Sequence, residues 1–384
     1  MKNDLDAKLT KLWADFEPEG DSDAYFSLAK ELEINGNRKM AAVAYDRAYG
    51  LDPDNIESSQ ARKLLLGQMA RVENGIKFRY IPGGTFLMGS MTGESDEEPV
   101  HPVSVNDFWI SEAPISWAAF ADLMDWTLPP WSSPKNRESL NRDEGFSLME
   151  ENKIRMQYCE DATTRAEDWH AHLPGQVYAK VDTGEQVSGD ELFGTPEGKD
   201  PKRPWKYDQK PMVCVSQQEI DALCKKISSQ KTSFRLPTEA EWEKSARGGL
   251  INKKYPWGDE LPDKSGCDFN RFNEFSIQPV RRFQPNGYGL YAMSGGVWEW
   301  TSDWYDSQYY EFYDNRKNQN PRGPKDGIEK VLRGGSWADC ADVCTVSYRM
   351  SMRVNVNDRG VWGAHFTPNF GFRLVMTGEN GRQG

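Results

Sequence analysis

The sequence predicts an α+β protein, in which an all-α amino-terminal region precedes a larger half of short strands, turns and two helices. Apolar residues recur at helical spacing up to residue 75, and the chain then changes to short apolar runs punctuated by Gly and Pro. Hydrophobic residues make up only 38% of the 384 positions, but they include 14 Trp, 15 Tyr and 17 Phe. Such large side chains supply enough apolar area for a sizeable core.

The amino-terminal region, residues 1–75, is expected to be helical throughout. Apolar residues lie three or four positions apart in a first segment, Leu5, Leu9, Trp13 and Phe16, and in a last one, Ile56, Leu64, Leu65, Met69 and Val72. Two further helices are predicted between them, at 24–34 and 39–49, separated by Asn35-Gly36-Asn37. Asn74-Gly75 ends the region.

The middle pair of helices resembles one tetratricopeptide repeat. The residues at the aromatic, small and proline positions of that repeat are Tyr25, Leu28, Ala29, Leu32, Ala41, Tyr45, Ala48 and Pro53. The alternative is an ordinary helical hairpin packed on the main domain. Either reading makes this region an adaptor that binds a protein partner or a brace, and not a reaction centre.

The larger half, residues 76–378, contains the two predicted helices, and a short tail at 379–384 follows it. One helix runs from 216 to about 227, and the second begins near Thr238, which can cap it, with Glu241 completing a capping box. A stretch at about 129–208 resembles an elaborated loop and is the expected place for a specificity feature.

Charge and composition exclude several functions. A formal charge of -12 and a pI near 5.1 argue against nucleic acid as a partner. The chain has no apolar run of about 18 residues and no secretory h-region at its start, so neither a membrane span nor secretion is expected. Its six scattered cysteines do not form a disulfide framework, and a cytoplasmic location is expected.

A series of motifs then identifies the larger half. In order along the chain they are IPGGTFLMGS (81–90), PVHPVSV (99–105), RLPTEAEWE (235–243), YPWGD (255–259), PNGYGL (285–290), VWEWT (297–301), LRGGSW (332–337) and GFRL (371–374). This series resembles the formylglycine-generating enzyme, or sulfatase-modifying factor, family over about residues 78–376. The resemblance implies a variant of the C-type lectin fold, with a small twisted antiparallel sheet, two helices and long loops.

The catalytic branch of that family implies a copper- and O2-dependent oxidase acting on a peptide cysteine. Its two cysteine ligands follow the Gly-Gly-Ser-aromatic motif, three and eight residues after the serine. Counted from Ser336, the eighth residue is Cys344, but the third is Asp339, and the nearest cysteine is Cys340. With a one-residue insertion in the loop, Cys340 and Cys344 could still hold copper; without one, Asp339 replaces a soft ligand with a hard one and the site is lost.

Calcium is a second cofactor that the resemblance implies. Asn270 and Glu299 are the matching candidate ligands, since oxygen donors suit calcium. Gly295-Gly296 stands where the catalysts have Gly-Asn, which removes one side-chain oxygen.

Two functions of different classes therefore remain open. The favoured one is a recognition module for a protein or peptide ligand, because in variable proteins made by diversity-generating retroelements the corresponding segment is the diversified ligand face. The candidate ligand-binding residues here are Trp337, Ala338, Asp339, Asp342, Val343, Thr345, Ser347, Tyr348, Asn355, Asn357 and Trp362. The alternative is the copper oxidase, acting on a peptide cysteine or on a related small molecule, with the catalytic residues Cys340 and Cys344 as copper ligands. Phosphate-loop and nucleophile-elbow motifs do not occur, so kinase and serine-hydrolase functions are excluded.

Overall fold

The structure is a computed structural model that describes residues 20–124, 177–179, 183–188, 209–213, 215–271, 277–312, 318–354 and 369–378. Several predictions concern residues outside these ranges. They are the first amino-terminal helix, most of the 129–208 insert, the tail at 379–384, and the candidate ligand residues Asn355, Asn357 and Trp362.

Three helices open the described chain: α1 (Ser22–Ile34), α2 (Arg38–Leu51) and α3 (Ile56–Gln68). The side chains of Asp21, Asn37 and Asn55 cap them by accepting hydrogen bonds from first-turn N–H groups. The small and aromatic residues that suggested a repeat pack between helices, with Ala29, Ala41 and Ala48 fully buried. A helical hairpin is therefore present, while its assignment as a tetratricopeptide repeat stays a prediction.

The last predicted helix is shorter than expected. It ends at Gln68, and Val72 lies in strand β1 (Arg71–Glu73), which forms a hairpin with β2 (Ile76–Ile81). Asn74 and Gly75 both have positive φ at the turn between these strands. Such a turn, followed by alternating buried residues, favours a hairpin over a continued helix.

The strands form curled sheets in which neighbouring strands are antiparallel, except for one parallel pair, Phe370–Gly371 with Trp298–Trp304. The largest has the order β1-β2-β5-β13-β8, in which β5 is Phe108–Ser111, β8 is Thr232–Arg235 and β13 is Val375–Gly378. The second has the order β11-β10-β9-β12, with β9 (Trp298–Trp304), β10 (Glu329–Arg333), β11 (Arg349–Arg353) and β12 (Phe370–Gly371). Two smaller hairpins pair β3 (Gly84–Met88) with β4 (His101–Val105) and β6 (Val177–Ala179) with β7 (Gln186–Ser188). The α+β class is thus confirmed.

Both predicted helices of the larger half are present, as α5 (Gln217–Ile227) and α6 (Glu239–Arg247). Thr238 and Glu241 form the expected capping box at the start of α6. The sequence reasoning missed a further short helix, α4 (Trp117–Leu123), capped by Ser116. Within the described ranges, no helix is long and apolar enough to cross a membrane.

Tryptophan side chains contribute to the core, in line with the large apolar area that the aromatic residues were expected to supply. Trp242, Trp298, Trp300 and Trp337 are each at most 2% exposed, whereas Trp257 is 42% exposed. Trp242 lies on α6 and Trp298 and Trp300 lie on β9, whereas Trp337 lies in the loop after β10.

Candidate functional site

Helix α6 lies at the centre of a buried ion-pair network that joins the sequence motifs. Its Glu243 pairs with Arg247 one turn later, at 2.6 Å, and with Arg333 of β10, and all three side chains are almost fully buried. Its Glu239 accepts from Arg349 Nε at 2.8 Å. These ion pairs link α6 to β10 and to β11. Both ends of the loop that joins β10 to β11 are therefore held in place.

Glu299 on β9 belongs to the same buried layer. Its Oε2 accepts hydrogen bonds from Arg373 Nε and Trp242 Nε1, both at 2.6 Å, and its Oε1 accepts from Arg373 Nη2 at 2.6 Å. A guanidinium therefore already neutralises the carboxylate that the resemblance assigned to calcium. The other candidate ligand, Asn270, is exposed, and its backbone N–H donates to the carbonyl oxygen of Asp339 at 2.7 Å. These two residues do not fit a calcium site in this arrangement, because Glu299 keeps no oxygen free of a cationic or indole donor.

The loop that follows β10 turns sharply at two glycines, Gly334 and Gly335, whose φ values are +103° and +70°. A Cβ atom on Gly335 would lie 2.5 Å from Cys344 Sγ, so the absence of a side chain lets the loop fold back on itself. The loop therefore folds back so that Gly335, near its start, packs against Cys344.

Asp339 closes this loop. Its Oδ2 accepts from the Ser336 backbone N–H at 3.0 Å and from Ser336 Oγ at 2.5 Å. Burial raises the pKa of Asp339, although hydrogen bonds from Ser336 and Trp298 oppose the shift. The residue three positions after the serine thus stabilises a turn through its carboxylate.

The two candidate copper ligands lie in different environments. Cys344 is completely buried, whereas Cys340 is exposed. Burial raises the pKa of the Cys344 thiol well above its ordinary value, and the nearby Cys267 and Asp339 add to the shift. Copper(I) binds the thiolate, so this surrounding opposes the form of Cys344 that a copper site requires.

A second buried thiol, which the sequence reasoning did not single out, accompanies Cys344. Cys267 is 1% exposed and donates from Sγ to the carbonyl oxygen of Ser294 at 3.2 Å. Ser294 Oγ in turn donates to the carbonyl oxygen of Cys344. Among the described residues, no group of three or more His, Cys, Asp or Glu side chains is arranged to hold a metal ion.

The candidate ligand-binding residues divide into core and surface. Trp337, Thr345 and Ser347 are 1%, 5% and 4% exposed, so they belong to the scaffold in this structure. Asp342 is exposed, and the half-buried members are Ala338, Asp339, Val343 and Tyr348. We call these five partly or fully exposed residues the loop surface.

The arginines at the centre of this site were missed by the sequence reasoning. Arg333, Arg349 and Arg373 are at most 5% exposed, and each pairs with a glutamate from another motif. A signal was present, since LRGGSW and GFRL each hold one arginine while RLPTEAEWE and VWEWT hold the glutamates. Arginine is rarely fully buried unless it is paired, so charges of both signs inside aromatic motifs point to ion pairs.

Several known proteins are similar to this chain. A family model described as a sulfatase-modifying factor enzyme 1-like domain matches residues 67–377. A formylglycine-generating enzyme of Streptomyces coelicolor is 30% identical over 315 residues, covering 77% of this chain and 87% of that protein. A Bos taurus relative named inactive C-alpha-formylglycine-generating enzyme 2 is also 30% identical, over 297 residues, covering 73% of this chain and 83% of its own. Among solved structures, Treponema denticola variable protein 1 aligns with 80% of this chain and 97% of its own, at 23% identity and a TM-score of 0.46.

Proposed function

The chain belongs to the sulfatase-modifying factor enzyme 1-like family, and from that premise we propose that it is a recognition module that binds a peptide segment of a partner protein on the loop surface. The observation that carries this proposal is the role of Asp339. By the spacing of the family motif, counted without an insertion, Asp339 stands where the catalysts have their first cysteine, and its carboxylate closes the loop on Ser336.

The cysteines support recognition over oxidation. A bis-thiolate copper site needs two thiolates that can reach one ion. Here Cys340 faces solvent and Cys344 is buried with a raised pKa. Similarity to relatives does not favour oxidation either, since a protein named as the enzyme and one named as inactive are equally identical to this chain.

The charge around the loop surface favours a basic ligand. Burial raises the pKa of Tyr348, and the negative charges of Glu94, Asp96, Glu97 and Asp339 raise it further. Asp342 is 81% exposed, and among the described residues Lys254, at 3.5 Å, is its counter-ion. Asp342 is followed in the chain by the half-buried Val343, and Tyr348 of the same loop is also half-buried, so the loop surface offers both a negative charge and apolar side chains.

The direct test is binding of basic peptides to the intact chain. A displayed library of peptides containing Lys, Arg and aromatic residues is selected on immobilised protein, and the enriched peptides are measured by fluorescence polarisation. Asp342→Lys should weaken their binding at least about fivefold, since it reverses the exposed charge of the loop surface. Asp23→Lys is the matched control, because Asp23 is an exposed acid on α1, and it should leave binding unchanged. Equal loss in both variants, or no saturable peptide binding by the parent, would reject the proposal.

Anaerobic titration with Cu(I) tests the oxidase alternative. The parent and a Cys340→Ser variant are compared by competition with a chromophoric chelator. We expect equal, weak binding by both, because Cys340 is the exposed thiol and can be replaced without disturbing the core. Tight binding by the parent that Cys340→Ser abolishes would favour the copper enzyme.

The helical region is proposed to act as a brace for this module. Arg62 of α3 is 2% exposed and donates to the carbonyl oxygens of Gly248 at 2.9 Å and Gly287 at 2.8 Å. These contacts hold α3 against the end of α6. A helical region fixed in this way supports the domain, and its outer face stays accessible to a partner.

A further inference from the structure

A small cavity lies at the seam between the helical region and the rest of the molecule. Its volume is about 40 Å³, and α2, β3, the end of α6 and the residues just after α6 form its walls. Lys244 and Phe86 are buried in it, whereas Gly50, Leu87 and Leu250 at its edge are half-exposed. The half-exposed edge opens the cavity to solvent, and its volume suits a few water molecules or a very small ligand.

Lys244 reaches this cavity with an ammonium group that lacks a close acceptor. The side chain is 5% exposed, yet Nζ donates no hydrogen bond to any residue within the described ranges. Its nearest carboxylate oxygen is Asp46 Oδ2 at 3.9 Å, which is beyond hydrogen-bond distance. The ring of Phe86 lies 5.5 Å away and supplies weak cation–π contact only. An ammonium in this position needs water or a ligand in the cavity to accept its hydrogen bonds.

Asp46 cannot serve as the full counter-ion of Lys244, because other donors occupy it. Its Oδ1 accepts from Arg62 Nε at 3.0 Å and Nη2 at 2.6 Å, and its Oδ2 accepts from the Tyr288 hydroxyl at 2.7 Å. Burial opposes ionisation of Asp46, but Arg62 and Lys244 outweigh burial and hold the pKa of this carboxyl below its usual range. The single negative charge is thus shared, and positive charge is left in excess around the cavity.

Arg47 is a further cation at this cavity, and its Nη1 donates to the carbonyl oxygen of Thr85 at 3.4 Å. It lines the same cavity from α2, is 9% exposed, and its positive charge is among the influences on Lys244. Burial lowers the pKa of Lys244 to about 8, with Asp46 opposing the shift and Arg47 and Arg62 adding to it. A bound anion would relieve this repulsion.

We infer that this cavity binds a small monocarboxylate with a short apolar tail, whose carboxylate accepts hydrogen bonds from Lys244. The apolar side chains of Leu87, Leu250 and Ile251 line the cavity and suit an alkyl tail. Asp46, at 3.9 Å from the ammonium, disfavours a doubly charged anion such as phosphate. The site is separate from the loop surface, so it goes beyond the proposed recognition function. Its ligand would contact both α2 and α6 and link the two parts of the molecule.

The first test measures protection of Lys244 in the unaltered chain. Intact protein at low ionic strength is reductively methylated with isotopic formaldehyde near pH 8, where Lys244 is partly neutral, and the labelled lysines are quantified by peptide mass spectrometry. Butyrate should slow labelling of Lys244 in a saturable manner and leave exposed Lys231 unchanged. Equal slowing at both lysines, no slowing at Lys244, or equally strong protection by inorganic phosphate would overturn the monocarboxylate assignment.

The second test measures butyrate binding directly by saturation-transfer NMR. Lys244→Met keeps the length of the side chain and removes the ammonium, so the affinity for butyrate should fall about tenfold or more. Lys231→Met is the matched control for loss of one positive charge, and it should bind butyrate as the parent does. Unchanged affinity in a folded Lys244→Met variant would overturn the proposal. If that variant does not fold, the labelling of the unaltered chain decides.

Discussion

Arg373 donates from Nε to Glu299 Oε2 at 2.6 Å and from Nη2 to Oε1 at 2.6 Å, and both side chains are completely inaccessible to solvent. The two residues are 74 positions apart in sequence. Their strictly bidentate contact joins strand β9 to the segment between β12 and β13, and so connects both large sheets. Trp242 Nε1 shares the same carboxylate oxygen, which adds α6 to this junction.

Breaking this pair from one side should strongly destabilise the protein. Arg373→Met leaves the Glu299 carboxylate buried without its counter-ion, at a cost of about 3–5 kcal/mol in the free energy of unfolding. Glu299→Gln should lower the free energy of unfolding less in the Arg373→Met variant than in the parent, because the carboxylate that it removes is already without its counter-ion in that variant. Urea denaturation followed by tryptophan fluorescence measures both effects.

Arg353→Met is the control for that experiment. Arg353 is 71% exposed and lies 3.6 Å from Glu329, so its loss should change the free energy of unfolding by about 0.5 kcal/mol or less. A cost for Arg373→Met no larger than that of Arg353→Met would show that the buried pair is not a structural junction. Calcium should not shift the unfolding midpoint of the parent, because Arg373 and Trp242 already engage Glu299.

A second prediction concerns Gly335, where the loop after β10 folds back against Cys344. Gly335→Ala places a Cβ atom 2.5 Å from Cys344 Sγ at a φ of +70°, so crowding and backbone strain act together. We expect a loss of about 3 kcal/mol or more in the free energy of unfolding. Gly36→Ala has a similar φ of +78° with no atom within 4 Å of the new Cβ, and it should cost only about 1 kcal/mol. Equal costs in thermal or urea unfolding would mean that the contact with Cys344 is unimportant.

The local features of the fold could be predicted from sequence because neighbouring residues determine them. The capping box of Thr238 and Glu241 needs only a spacing of three residues, and the structure contains it. Val72 was assigned to a helix because apolar spacing alone does not separate the last turn of a helix from a short edge strand, and the Asn74-Gly75 turn decides in favour of the strand.

The site could be predicted less well, since it depends on contacts between distant segments. The motif spacing identified the loop after Ser336, but it could not show that Asp339 closes the loop or that Cys344 points into the core. The resemblance made Glu299 a candidate calcium ligand. A carboxylate is an equally good partner for a metal ion and for an arginine, so the residue type alone does not show which one it binds. Only the position of Arg373 in space distinguishes the two.

A third prediction tests the helical region as a brace. Arg62→Met removes hydrogen bonds to Gly248 and Gly287 and leaves Asp46 buried beside fewer positive charges. We expect faster hydrogen exchange throughout residues 20–68 and a loss of about 3 kcal/mol or more in the free energy of unfolding. Arg38→Met serves as the control, because Arg38 is exposed and donates only to Gln68 among the described residues. Unchanged exchange in Arg62→Met would indicate that the helices are held by other contacts.

A fourth prediction concerns the reactivity of the thiols. Cys340 should react with N-ethylmaleimide in the native protein at pH 7.5, because it is exposed. Cys267 and Cys344 should react only on unfolding, since both are buried. Burial raises the pKa of Cys267 to about 12, and it raises the pKa of Cys344 well above its ordinary value. Peptide mass spectrometry after timed labelling distinguishes the sites, and denatured protein provides the fully reactive reference. Rapid labelling of Cys344 in the native state would contradict its burial behind Gly335.

The last prediction concerns pH and follows from Asp303 on β9. Burial raises the pKa of Asp303 to about 7, and the negative charge of Glu239 adds to the shift, although the Glu239 backbone N–H donates to Asp303 Oδ2 at 3.0 Å. In the unfolded chain an aspartate titrates near pH 3.9, so between about pH 4 and 7 the folded state holds a proton that the unfolded state has lost. This contribution to stability is fully present below pH 4 and is lost as the pH rises through 7.

Asp303→Asn stays neutral at every pH, so its stability relative to the parent should increase by about 2–3 kcal/mol between pH 5 and pH 8. Asp259→Asn should show no such increase, because a hydrogen bond from Lys253 lowers the pKa of this exposed carboxyl and keeps it ionised throughout that range. Parallel pH profiles of urea unfolding for the parent and Asp303→Asn would mean that Asp303 is already ionised in the folded protein at pH 5.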